Sequence, residues 1–134
     1  MSCGRSWLTY VLVRFLVRDD DEQFERARRL IRREAQDGEP VRISLLVLLE
    51  TEWVLRSRYK LSKGEILGAF SELLSAVDMS FEDESSIEEA LFMCKESPAQ
   101  FADCLIGARN RALGCTATAT FDNGAVKLPG FIAV

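Results

Sequence analysis

The sequence predicts an α/β fold: a three-layer α/β/α sandwich with a central parallel sheet. Three observations carry that expectation. Short β-favouring runs alternate with longer stretches whose apolar residues recur at helical spacing, the pattern of βαβ units. Strands joined in this way run parallel and are covered on both faces. The chain has 134 residues, 48% hydrophobic and 28% charged, enough for one buried core and too apolar for a disordered chain. A single domain over residues 1–134 follows, with no repeats or linkers.

Residues 7–17 are an apolar strand or strand-to-helix segment. Asp19, Asp20, Asp21 and Glu22 then start a helix over 20–37, because carboxylates suit the positive end of the helix dipole. Phe24, Ala27, Leu30 and Ile31 form its apolar stripe, and Glu22/Arg26 and Glu25/Arg29 are i,i+4 pairs on its solvent face. Gly38 ends it. The Arg-rich face reads as solvated, with a polyanion-contacting surface as the alternative.

Val41-Arg42-Ile43-Ser44 is a short strand, followed by a strongly apolar helix over 45–60 and another from Leu61-Ser62 to about 76. Their apolar surplus suits either the core or an interface. Residues 78–82 are a half-buried strand and 84–96 a helix. Ser97-Pro98-Ala99-Gln100 resembles a helix start, with Ser as N-cap, Pro at the first helical position and Gln closing a capping box. That helix runs to Leu113 with Gly114 behind it. Residues 116–120 form a strand, Asp122-Asn123-Gly124 a turn and 131–134 a last strand.

The composition excludes whole classes of chemistry. There is no histidine, so Ser-His-Asp and Cys-His catalysis and His-ligated zinc are ruled out. Cys3, Cys94, Cys104 and Cys115 form no C-x-x-C pair, and are expected to be buried small hydrophobes in a reducing compartment. The stretch 7–17 is broken by Arg14, lacks a small-residue cleavage site and is too short to span a bilayer, so a soluble cytoplasmic protein with no membrane contact is expected. A net charge of −4 argues against a broadly basic nucleic-acid binder. That charge is uneven: residues 1–60 hold 12 Lys+Arg and 10 Asp+Glu, residues 61–134 hold 5 and 11.

Three carboxylates stand out. On a helix, Glu50 has Leu46, Val47, Trp53 and Val54 at its i−4, i−3, i+3 and i+4 positions, an apolar face on which a lone carboxylate is costly to bury. A buried ion pair, an edge position or a functional role would each account for it. Glu52 has an ordinary i,i+4 partner in Arg56. Asp103 falls in the second turn of the 98–113 helix, too late to cap it. Asp122 follows strand 116–120 at its carboxyl end, where parallel sheets bind ligands, although Asp-Asn-Gly is also an ordinary turn. Three acids from three elements would make a hard-oxygen site for Mg²⁺ or Mn²⁺, able to activate water and neutralise charge on a phosphodiester.

At these residues the chain resembles PIN-domain proteins, and specifically the VapC-type ribonuclease toxins of type II toxin–antitoxin pairs. The resemblance lies in Val11-Leu12-Val13-Arg14-Phe15-Leu16-Val17-Arg18-Asp19-Asp20 and in Ile43-Ser44 through Glu50-Thr51-Glu52-Trp53-Val54-Leu55-Arg56. It continues in Phe101-Ala102-Asp103-Cys104-Leu105-Ile106 and Thr120-Phe121-Asp122. It implies a metal-dependent endoribonuclease toxin, a homodimer, a cognate antitoxin and an RNA substrate. Glu50, Asp103 and Asp122 match the second, third and fourth acids that hold Mg²⁺ or Mn²⁺, and Arg14 and Arg18 are phosphate contacts. The first acid does not match: the family's Asp-Thr-Asn reads Leu8-Thr9-Tyr10 here, and no acidic residue precedes Asp19. A weakened or silenced toxin fold and an altered start are both compatible with that departure. The alternative function is a catalytically silent PIN-fold module that binds an antitoxin or RNA without cleavage.

Overall fold

The computed structural model describes residues 5–134; Cys3 lies outside them. They form two compact units, one ending at Glu82 and one spanning Asp83–Val134. Each is α/β and each holds a pair of parallel strands.

In the first unit, α1 (Thr9–Val17) and α2 (Asp21–Gln36) precede β1 (Val41–Ile43), α3 (Leu45–Ser57), α4 (Lys63–Leu74) and β2 (Met79–Phe81). Of the segment 7–17 expected as a strand or strand-to-helix stretch, Thr9–Val17 is helical, and the extended pairing falls just before it. Ser6 bridges Arg42 in parallel beside β1, and the chain turns helical at Thr9. β1 and β2 pair with Val41 opposite Met79 and Ile43 opposite Phe81. These four side chains are buried, as alternation on a covered strand requires. Leu12 and Val13 of α1, Ala27 and Ile31 of α2, and Leu48 and Leu55 of α3 are also buried. Trp7, Phe15 and Phe24 form an aromatic chain with successive ring centroids 5.6 Å apart.

Helix starts follow local chemistry. The Asp20 carboxylate accepts from the Gln23 amide, and Ser44 from that of Val47. Ser62 and Glu65 form a reciprocal capping box. On α2, Glu22 pairs with Arg26 as expected. Glu25, however, bonds Arg28 at i,i+3, at 3.0 Å, rather than Arg29.

The second unit contains α5 (Glu84–Lys95), α6 (Phe101–Ala112), β3 (Thr118–Thr120), a short 3-10 helix (Ala125–Lys127) and β4 (Phe131–Ala133). β3 and β4 pair in parallel, with Thr118 opposite Phe131. The helix start expected at Ser97 is displaced. Gln100 is the N-cap and carries no side-chain cap bond. The Ser97 hydroxyl accepts from the Ala99 amide at 3.3 Å, two residues on, so it closes a turn instead of capping a helix. The Ala99 carbonyl accepts from Cys94 Sγ at 3.5 Å. Gly114 follows the C-cap Leu113 with φ 90°, a left-handed conformation in which glycine carries no steric cost. Cys94 and Cys104 are buried as expected, but Cys115, just past the helix end, is exposed.

Candidate functional site

The first unit presents Glu50 on the outer face of α3. The expectation of an apolar, costly environment is corrected here. Glu50 is exposed, and two of its four helical neighbours, Leu46 at 78% and Trp53 at 56% exposure, face outward with it. The buried carboxylate of α3 is instead Glu52, 4% exposed and bonded to Arg56 at 2.9 Å. Glu50 therefore needs no burial partner, and two of its four apolar neighbours, Leu46 and Trp53, are surface residues while Val54 is buried.

Glu50 is nevertheless held. The buried Thr9 hydroxyl at the start of α1 donates to its carboxylate. Leu8, Thr9, Tyr10, Val11, Leu46, Val47 and Glu50 line one open cleft of about 620 Å³. Leu8 is the N-cap of α1, 78% exposed, and makes no capping bond. Position 8 and Glu50 thus face the same space.

Arg14 and Arg18 sit at the other end of α1. Arg14 Nη1 donates to both oxygens of Asp19, at 2.8 and 2.7 Å, and to Tyr59 Oη at 2.7 Å; Tyr59 Oη donates back to Asp19 at 3.0 Å. The Arg14 hydrogen bonds hold the Asp19 carboxyl below its usual range, while burial pushes the Tyr59 phenol up. Arg18 adopts a left-handed C-cap conformation and stacks its guanidinium 4.2 Å from the Phe24 ring centroid. Sequence reading gave no sign of the Asp19 and Tyr59 contacts, since Tyr59 lies in a loop 45 residues beyond Arg14.

The second unit brings two acids together. Asp103 is the third residue of α6, in its first turn rather than its second, because the helix starts at Phe101. Asp122 follows β3 at its carboxyl end, where its carboxylate accepts from the amide of Ala125, the first residue of the 3-10 helix, at 2.7 Å. Burial pushes the Asp103 carboxyl up, and the charge of Asp122 pushes it further. A half-buried carboxyl beside a like charge is the donor chemistry a hard cation would satisfy. The pair offers oxygen ligands only, which fits Mg²⁺ or Mn²⁺ rather than a thiophilic metal. Among the described residues, no three Asp, Glu or Cys side chains are grouped so that they could hold a metal ion. No helix among them is long and apolar enough to cross a membrane.

Parallel strand pairs and helical connections define an α/β protein, with Asp103 at a helix start and Asp122 at a strand end of its second unit. The chain belongs to the PIN-domain family, whose pattern matches residues 9–130 and so runs through both units. A solved structure similar to it is the Mycobacterium tuberculosis VapC20, a Sarcin-Ricin loop cleaving toxin: 20% identity, 88% of each chain covered, TM-score 0.41. No curated protein matches the chain.

Proposed function

We propose that this chain is a VapC-type, metal-dependent endoribonuclease, the toxin of a type II toxin–antitoxin pair, acting on RNA in the cytoplasm. The observation that carries the reading is the pair of acids in the second unit, Asp103 in the first turn of α6 and Asp122 at the carboxyl end of β3. Membership of the PIN-domain family supports a nuclease and a divalent ion. The family resemblance assigns Glu50, Asp103 and Asp122 to Mg²⁺ or Mn²⁺, and of these the second unit supplies Asp103 and Asp122. That ion would supply charge neutralisation at the scissile phosphodiester and water activation.

The chain's own residues do the rest. Thr9 orients the Glu50 carboxylate. Arg14 and Arg18, at the far end of α1, would meet phosphates, Arg14 once Asp19 yields it. The exposed Leu46 and Trp53 support an apolar contact with a protein partner, in keeping with a cognate antitoxin or a homodimer.

A second reading is favoured by Leu8. An exposed leucine stands where the family resemblance puts a metal-binding Asp, so the fold would serve as a catalytically silent module that binds an antitoxin or RNA. RNA cleavage in Mg²⁺ or Mn²⁺ separates the two. We expect cleavage by the chain as it stands and none by Asp103→Asn. Cleavage only after Leu8→Asp would establish the silent module, and cleavage by neither would overturn the assignment of the site.

A further inference from the structure

We propose that the arginine face of α2, centred on Arg29, Arg32 and Arg33, docks the phosphate backbone of RNA and extends the path that begins at the Glu50 cleft; the proposal rests on the ribonuclease reading above. Helical spacing places Arg29 one turn before Arg33, with Arg32 beside them, opposite the buried Ala27 and Ile31. All three arginines are exposed.

The acids of α2 are largely engaged elsewhere. Glu22 pairs with Arg26, Glu25 bonds Arg28, and Glu34 is buried against Arg5 at 2.6 Å. Arg29 and Arg32 also lower the pKa of Glu25 through space, so part of their field is offset there. No ion pair engages Arg29, Arg32 or Arg33 among the described residues. In a chain of net charge −4, this is a local positive stripe, offset in part by Glu25 and by the exposed Asp37 one turn beyond Arg33.

The stripe is continuous with the candidate site. Arg26, one turn before Arg29, lines a cleft of about 350 Å³ with Arg14, Tyr10 and Val11. Tyr10 and Val11 also line the Glu50 cleft. A strand leaving Glu50 would therefore pass Tyr10 and Arg14 before reaching α2, all within one unit.

RNA is favoured over an acidic protein because α2 carries no exposed large apolar side chain. Protein interfaces place apolar or aromatic anchors at their centre, whereas phosphate backbones are held by cations and other hydrogen-bond donors and need no apolar anchor.

The test is binding of a short single-stranded RNA in the presence of a chelator, so that cleavage plays no part, measured across a range of KCl concentrations. Each phosphate contact to a single strand contributes about −0.7 to the slope of log K against log salt. The triple variant Arg29→Gln/Arg32→Gln/Arg33→Gln should reduce the slope by about 2, and Arg33→Gln alone by about 0.7. The control Lys60→Gln/Lys95→Gln/Lys127→Gln removes the same charge elsewhere and should leave the slope as it was. A triple-variant slope equal to that of the unaltered chain, or no RNA binding by that chain at all, overturns the proposal. So does a triple variant that loses only poly-glutamate, which would assign the face to an acidic protein. The cleavage assay with Asp103→Asn reports separately on the catalytic reading.

Discussion

The Thr9 hydroxyl donates to the Glu50 carboxylate, tying the first turn of α1 to the middle of α3 inside one unit. The bond puts position 8 beside the second acid of the candidate site, because Leu8, Thr9 and Glu50 share a cleft. An apolar N-cap leaves first-turn amides of α1 without a side-chain acceptor. Leu8→Asp should therefore gain about 1 kcal/mol from capping and lose part of it through repulsion from Glu50. Mg²⁺ should remove that repulsion. Thermal melts check this: the Mg²⁺-dependent rise in Tm should be larger for Leu8→Asp than for the unaltered chain.

Asp103 is the clearest case of a residue whose arrangement costs stability. Its folded pKa is raised above 3.8 by burial and by Asp122. The folded state thus binds this proton more tightly than the unfolded chain does. The contribution is favourable at low pH and is lost as pH rises through the window above 3.8. Asp103→Asn should raise the metal-free Tm at pH 7 by up to a few degrees, the scale of about 1 kcal/mol or less. It should also abolish the Tm increase on adding Mg²⁺. A variant that melts lower without metal would show Asp103 to be structural.

Asp19 holds Arg14 away from any phosphate. Its own pKa is lowered, first by the Arg14 hydrogen bonds, so its stabilising contribution exists above 3.8 and is lost as pH falls through the lower folded value. Asp19→Asn should release the guanidinium, tighten RNA binding and steepen the salt slope by about 0.7. An unchanged slope would remove Arg14 from the RNA path.

Gly107 marks where packing, not chemistry, fixes a residue. A Cβ at this position on α6 would run into the ring of Phe131 on β4. Gly107→Ala should cost about 1–3 kcal/mol through overpacking, read as a lower denaturation midpoint. Phe131→Leu should recover part of it by shortening the obstructing side chain.

The parallel α/β character was legible because its signals are local and periodic. Alternation over Val41–Ile43, a carboxylate run before α2 and serine caps before α3 and α4 each act within a few residues. The start of α6 was not, because Ser97 has two competing uses, and the turn to Ala99 prevails over the helix. Displacing that start moved Asp103 from the second turn to the first. The exposure of Glu50 was equally hidden, since helical spacing says which residues share a face but not whether anything covers it. The buried acid of α3 proved to be Glu52, whose bonded Arg56 spacing had foretold. The Thr9–Glu50 and Arg14–Tyr59 bonds span 41 and 45 residues, and no local pattern specifies them.

The central claim is that this chain's acids hold a divalent cation, and Mn²⁺ titration followed by electron paramagnetic resonance tests it most directly. The account predicts saturable Mn²⁺ binding by the unaltered chain, at least tenfold weaker in Asp103→Asn and in Asp122→Asn and competed by Mg²⁺. It also predicts tighter binding in Leu8→Asp. Mn²⁺ affinity that is the same in the unaltered chain, Asp103→Asn and Asp122→Asn would contradict it.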